Sequence, residues 1–164
     1  MEIIQITGYK NSGKTTMAEK LIHALAAEGF RVASLKHHGH GGTPDGFEDT
    51  DSARHHEAGA FISGVQGEGL LQLAARPTWE LEQMTAIYQQ LGTDILVVEG
   101  FKKHAYKKIV LIRREEDLHL LKELTNIVAV ITRPTLNAAD YPFLVFSQAE
   151  MDRCIEWLLA HFSH

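Results

Sequence analysis

Residues 1–21 read MEIIQITGYKNSGKTTMAEKL, and within them residues 8–15, GYKNSGKT, satisfy the pattern G-x-x-x-x-G-K-[ST]. Ile3, Ile4 and Ile6 form a short β-branched run that ends at Gly8, as a buried strand does. Beyond the loop, Ala18, Leu21, Ile22 and Leu25 recur at helical spacing over residues 15–28, and Gly29 supplies the stop. Strand, glycine-bounded loop and helix, in that order, are the context in which this pattern wraps phosphate. Gly8 and Gly13 let the backbone bend so that successive N–H groups, with those of Asn11 and Ser12 between them, face phosphate oxygens. The start of the helix, with Thr16 in its first turn, adds the positive end of its dipole. Lys14 would reach the β- and γ-phosphates, and the Thr15 hydroxyl would ligate Mg²⁺.

Working outward, RVASL (31–35) reads as a second strand, which closes a strand–loop–helix–strand unit. Residues 37–50, HHGHGGTPDGFEDT, hold four glycines and a proline without periodicity and read as a long loop. A short helix is expected over 51–58. AFISGVQ and GLLQLAA, joined by Gly-Glu-Gly, then read as a β-hairpin over about residues 60–75. Leu81, Met84, Tyr88 and Leu91 mark a helix over 79–91. DILVV (94–98), KIVLI (108–112) and NIVAVIT (126–132) have the continuous apolar character of strands buried in a parallel sheet. Met151, Cys154, Ile155, Leu158, Leu159 and Phe162 share one face of a closing helix, which makes Cys154 a core residue rather than a reactive one. The alternation predicts an α/β fold of three layers, a mainly parallel sheet flanked by helices with a hairpin extension, in a single nucleotide-binding domain over 1–164.

Bulk properties narrow the partners. The 164 residues suffice for one core, and a formal charge of -5 argues against a general nucleic-acid binder. One cysteine excludes an intramolecular disulfide framework and fits a reducing compartment. No apolar run approaches a membrane span, and Glu2, Gln5 and Thr7 break up any signal-like opening, so a cytoplasmic location away from membranes is expected.

A phosphate loop needs an acidic partner for Mg²⁺ at the carboxyl end of a neighbouring strand. Glu99, directly after ILVV, stands there, whereas Asp94 opens the same strand at its far end. Asp49 and Asp51 follow the glycine-rich loop, where an aspartate holds a Mg²⁺-bound water or caps a helix. Thr132-Arg133-Pro134 after the late strand carries no aspartate in register for guanine, so the base site gives no separate signal for GTP. Lys36 and His37 sit near the expected phosphates, and His37, His38 and His40 raise the alternative of a metal-carrying loop. GFKKHAYKK (100–108) carries four lysines and a histidine beyond Glu99; such a run is commonly a solvated face, but its place past the strand end leads us to expect an anion-binding surface for a second phosphorylated ligand, centred on Lys102.

Taken in order, GYKNSGKTT, LKHHGH, DTDSARHHEAGA and ILVVEGFKK resemble the molybdopterin-guanine dinucleotide biosynthesis protein B family. The stretch Asp51-Ser52-Ala53-Arg54 through Ala58-Gly59-Ala60 and the run Val98 to Lys102 are its specific parts, since the phosphate loop itself is widely shared. The resemblance implies a GTP-binding, weakly GTP-hydrolysing accessory protein with Mg²⁺. It would work with the nucleotidyltransferase that joins a guanosine nucleotide to molybdopterin, giving the guanine dinucleotide form of the molybdenum cofactor. It further implies a homodimer associating through strands outside the main sheet, for which residues 60–75 are the place to look. Under this reading Lys14, Glu99 and Asp51 do the catalytic work, and Thr15, Asp51 and Glu99 serve the metal. Related dimeric nucleotide switches carry a lysine directly after the first glycine of the loop; here that position is Tyr9 and the lysine is Lys10, which counts against a lysine reaching across the dimer. The competing expectations are a small-molecule kinase with Glu99 as base, for which no arginine-rich lid is apparent, and a GTP-driven metallochaperone using the histidine loop.

Overall fold

A computed structural model of the chain describes residues 1–37, 50–76 and 78–162. The elements are β1 (Glu2–Gly8), α1 (Lys14–Ala27), β2 (Val32–Lys36), α2 (Asp51–Glu57), β3 (Ile62–Gly67), β4 (Leu70–Ala75) and α3 (Leu81–Gln90). They continue with β5 (Ile95–Glu99), β6 (Lys107–Ile112), α4 (Leu120–Glu123), β7 (Ile127–Thr132), β8 (Leu144–Ser147) and α5 (Met151–Phe162). Two compact units result, one of Met1–His37 with Thr85–His164, the other of His38–Met84.

The larger unit is built on six parallel strands in the order β2-β5-β1-β6-β7-β8. The sequence reading found five of these. β8 escaped it because four residues at a sheet edge, behind Pro142, make no extended apolar run. The central strands are buried on both faces, as their continuous apolar character requires. On one face Ile4, Ile6, Ile109, Leu111, Ala129 and Ile131 pack with Met17, Leu21 and Leu25 of α1 and Cys154, Ile155 and Leu158 of α5. Cys154 is fully buried there, and burial pushes its thiol up to about 12, so it is a core residue. On the other face Val110, Ile112 and Val130 pack with Leu120 of α4.

Period-two alternation assigns Gln5 and Thr7 to the face opposite Ile4 and Ile6, and both are fully buried. Because every strand runs the same way, the loops after β1, β2, β5 and β7 leave from one edge of the sheet. At the far edge, Asp94 receives the backbone N–H and guanidinium of Arg31 (2.8 and 3.0 Å), which holds its carboxyl below the ordinary range. Asp94 therefore plays a structural part away from the site, as its position at the start of the strand suggests.

In the smaller unit α2 precedes an antiparallel pair, β3 with β4, whose register sets Gly64 against Leu73 and Gln66 against Leu71. The hairpin expected over 60–75 is thus present. Phe61, Ile62, Leu71 and Leu73 are all exposed, and Ile62, Leu71 and Leu73 share one face. No helix among the described residues is long and apolar enough to cross a membrane.

Candidate nucleotide site

The loop after β1 turns through left-handed residues at Asn11 (φ 61) and Gly13 (φ 100). Glycine is required at position 8 for a different reason: a Cβ there would lie 2.6 Å from Ser12 Oγ and 2.7 Å from the carbonyl oxygen of Leu111. The hydroxyl of Ser12 is buried inside the loop without a hydrogen-bond partner. Gly13 is the N-cap of α1, no side chain caps that end, and the first turn holds no acidic residue. The first N–H groups of a fourteen-residue helix are therefore open to an anion, reinforced by the helix dipole.

Three ammonium groups gather around this end. Lys14 Nζ donates to the carbonyl oxygen of Tyr9 at 2.8 Å. Burial lowers the Lys14 pKa; Glu99 opposes that shift, while Lys102 and Lys36 lower it further. Lys36 Nζ stands 3.8 Å from Glu99 Oε2, and Lys102 Nζ lies 3.8 Å from the centre of the Tyr9 ring. Burial also lowers the Lys102 pKa, with Asp117 and Glu123 opposing. Lys14 and Lys36 thus share Glu99, while Lys102 feels Asp117 and Glu123, and the three ammonium groups together suit a polyphosphate.

Glu99 closes β5, and Thr15 Oγ1 donates towards its carboxylate at 3.3 and 3.5 Å. A hydroxyl and a carboxylate are hard oxygen donors of the kind Mg²⁺ takes, and they meet beside the helix end where phosphates would lie. Thr16, exposed in the first turn, follows them. The backbone N–H of His37 donates to the Glu99 carbonyl at 2.9 Å, and its ring packs on Phe101 with centroids 4.8 Å apart.

Asp51 belongs to the smaller unit. It is the first residue of α2, exposed, with Oδ1 3.5 Å from Arg54. The helix cap is Thr50, whose hydroxyl accepts from the N–H of Ala53 at 3.1 Å, so the capping alternative for Asp51 falls to its neighbour. Asp49, His38 and His40 lie outside the described residues, and among those described no three acidic, histidine or cysteine side chains form a metal-binding group.

Several residues at this edge were not singled out by sequence reasoning. The Tyr9 hydroxyl pairs with His119 Nε2 at 3.0 Å, which turns the ring face towards Lys102. Gln5 and Lys108 are fully buried polar residues flanked by apolar ones on their strands. A glutamine inside IIQIT and a lysine opening KIVLI were the available signals. A cavity of about 640 Å³ lined by Tyr141, Phe143, Trp157 and His161 lies at the opposite edge, near the first residues of β6 and β7, and includes none of these groups.

A parallel six-stranded sheet with this loop after its first strand, an open helix end behind it and an acidic residue closing the adjacent strand defines the P-loop nucleotide-binding fold. Residues 3–133 match the family model described as molybdopterin guanine dinucleotide synthesis protein B, and the chain belongs to that family. The probable molybdopterin-guanine dinucleotide biosynthesis adapter protein of Bacillus subtilis is 39% identical over 159 residues, covering 96% of this chain and 91% of that protein. The adapter protein of the same pathway from Haemophilus influenzae is 33% identical over 150 residues, covering 85% and 83% of the two chains. The crystal structure of a MobB protein homolog from Bacillus stearothermophilus superposes with a TM-score of 0.80 at 39% identity, covering 99% of each chain.

Proposed function

We propose that this chain is a GTP-binding, weakly GTP-hydrolysing adapter in the biosynthesis of the molybdopterin guanine dinucleotide form of the molybdenum cofactor. The observation that carries this reading is the uncapped start of α1 facing Lys14, Lys36, Lys102 and Glu99, in a chain of this family. The names of the relatives, adapter proteins of that pathway, support the role. The N–H groups of Gly8, Asn11, Ser12 and Gly13, with Thr16, surround the phosphates, and Lys14 binds the β- and γ-phosphate oxygens. Thr15 and Glu99 would hold Mg²⁺, which when bound neutralises phosphate charge. Lys36 and His37 line the nucleotide. Lys102 receives the phosphate of a second ligand, molybdopterin or its guanine dinucleotide form.

The chain acts as one nucleotide-binding domain over residues 1–164, in the cytoplasm, with the pathway's nucleotidyltransferase as partner. A second copy of the chain covers the exposed hairpin, which presents Ile62, Leu71 and Leu73 on one face of a two-stranded sheet, a form that gains stability from packing. The test is a melting-temperature comparison. Mg²⁺-GTP should raise the midpoint more than Mg²⁺-ATP, because a ligand bound only by the folded state stabilises it. Equal shifts would remove the guanine preference.

A further inference from the structure

The loop between β5 and β6, residues 100–106, carries Lys102 and is gripped from beneath by three side chains outside the phosphate-loop motif. Gln5, wholly buried in β1, donates from Nε2 to the carbonyl oxygens of Gly100 at 3.0 Å and Phe101 at 2.7 Å. Lys108, its register partner on β6 and also wholly buried, donates from Nζ to the carbonyl oxygens of His104 and, at 3.1 Å, Tyr106. Asn126, just before β7, donates from Nδ2 to the carbonyl oxygen of Ala105. Five of the seven carbonyl groups from Gly100 to Tyr106 are captured in this way.

The backbone these bonds hold is an unusual one. Gly100 (φ 96) and Phe101 (φ 52) are consecutive left-handed residues, and an aromatic side chain rarely adopts that conformation. Such geometry persists where surrounding groups over-determine it, and it concentrates at functional sites. Lys108 shares its strand with Ile109, Val110, Leu111 and Ile112, so an apolar side chain would pack there without desolvating an ammonium. On its upper side the loop presents Phe101 to the His37 ring and Lys102 to the Tyr9 ring.

We infer that Gln5, Lys108 and Asn126 are positioning residues that hold the 100–106 loop so that Lys102 stands preformed beside the phosphate loop as a ligand for a second phosphate group. The inference rests on the assignment of Lys102 to a second phosphorylated ligand made above. None of the three touches that ligand; each acts through the loop. A preformed loop lowers the ordering cost when the anion arrives, so losing the grip weakens anion binding even though the lysine remains.

The test is a double-mutant cycle on the full chain, with the nucleotide site saturated by Mg²⁺ and a non-hydrolysable GTP analogue. Inorganic phosphate is the probe, titrated by calorimetry. Lys102→Ala and Lys108→Met should each weaken phosphate binding about tenfold, and the double variant should bind no more weakly than Lys102→Ala, because coupled residues are non-additive. The melting temperature of the unliganded protein should change with Lys108→Met equally in both backgrounds, which separates folding from positioning. Additive losses in affinity would make Lys108 a structural residue and overturn the inference while leaving Lys102 its role. A Lys102→Ala protein that binds phosphate normally would overturn the assignment of Lys102 and the inference with it. Should Lys108→Met fail to fold, Asn126→Gly, which tolerates the left-handed backbone (φ 56) and removes only the Ala105 bond, takes its place. The same non-additivity is then required, on a loss of about twofold.

Discussion

Replacing Lys14 by alanine removes the ammonium proposed above to bind the phosphates, and its surroundings set the size of the effect. Lys14 donates to the Tyr9 carbonyl at 2.8 Å and keeps company with Lys36 and Lys102. Without nucleotide, the variant loses one hydrogen bond and the attraction of Glu99, and is relieved of the burial of an ammonium and of repulsion from two lysines. These effects oppose each other, so the unliganded midpoint should move by no more than about 2 °C. With nucleotide, the loss is a charge-assisted contact worth about 1.5–3 kcal/mol, and the upper part of that range is about a hundredfold in affinity. At a GTP concentration of about 100 Kd the parent protein gains about 2.7 kcal/mol, or about 5–11 °C for a chain of this size. The same concentration is then near the variant's own Kd, where the gain falls to about 0.4 kcal/mol and the shift to about 1–2 °C. The assay is differential scanning fluorimetry with Mg²⁺-GTP, checked by calorimetric titration. A Lys14→Ala protein that keeps the parent's shift would refute the assignment of GYKNSGKT to the phosphates.

Three further outcomes follow from the same geometry. Gly8→Ala drives a Cβ to 2.7 Å from the Leu111 carbonyl oxygen, a backbone atom with little room to move, and to 2.6 Å from Ser12 Oγ. The cost of overpacking is about 1–3 kcal/mol, so thermal denaturation should show a midpoint lower by about 2–12 °C and a diminished GTP response. Glu99→Gln leaves Thr15 a partner but removes the anionic oxygen, so GTP affinity measured with and without Mg²⁺ should lose most of its metal dependence. Leu71→Glu combined with Leu73→Glu places two carboxylates on the exposed hairpin face and should turn a dimer into a monomer by analytical ultracentrifugation, with GTP binding per chain retained.

The parts of this protein that sequence makes legible are those governed by local rules. The apolar runs of β1, β5, β6 and β7 and the stripes of α1 and α5 announce a parallel sheet with covering helices, and the observed ends differ by a residue or two. The loop motif locates Gly8 to Thr15, and strand polarity places Glu99 beside them. What stays hidden depends on pairing across long separations. Gln5 reads as an interruption of a strand until Gly100 and Phe101, 95 and 96 residues away, are brought over it. Lys108 looks like one more charge in a basic run, yet β6 turns its side chain beneath the preceding loop and leaves Lys102 on the outside. The Tyr9–His119 contact spans 110 residues and has no periodicity to betray it. Thr50 rather than Asp51 caps α2, a one-residue shift of the kind that helix ends commonly show.

The most direct measurement is calorimetric titration of the purified protein with Mg²⁺-GTP and with Mg²⁺-ATP, alone and with the pathway's nucleotidyltransferase present. The account predicts one guanine nucleotide bound per chain, tighter binding of GTP than of ATP in both settings, and retention of that preference when the enzyme is added. Equal affinities for the two nucleotides in both settings would contradict it.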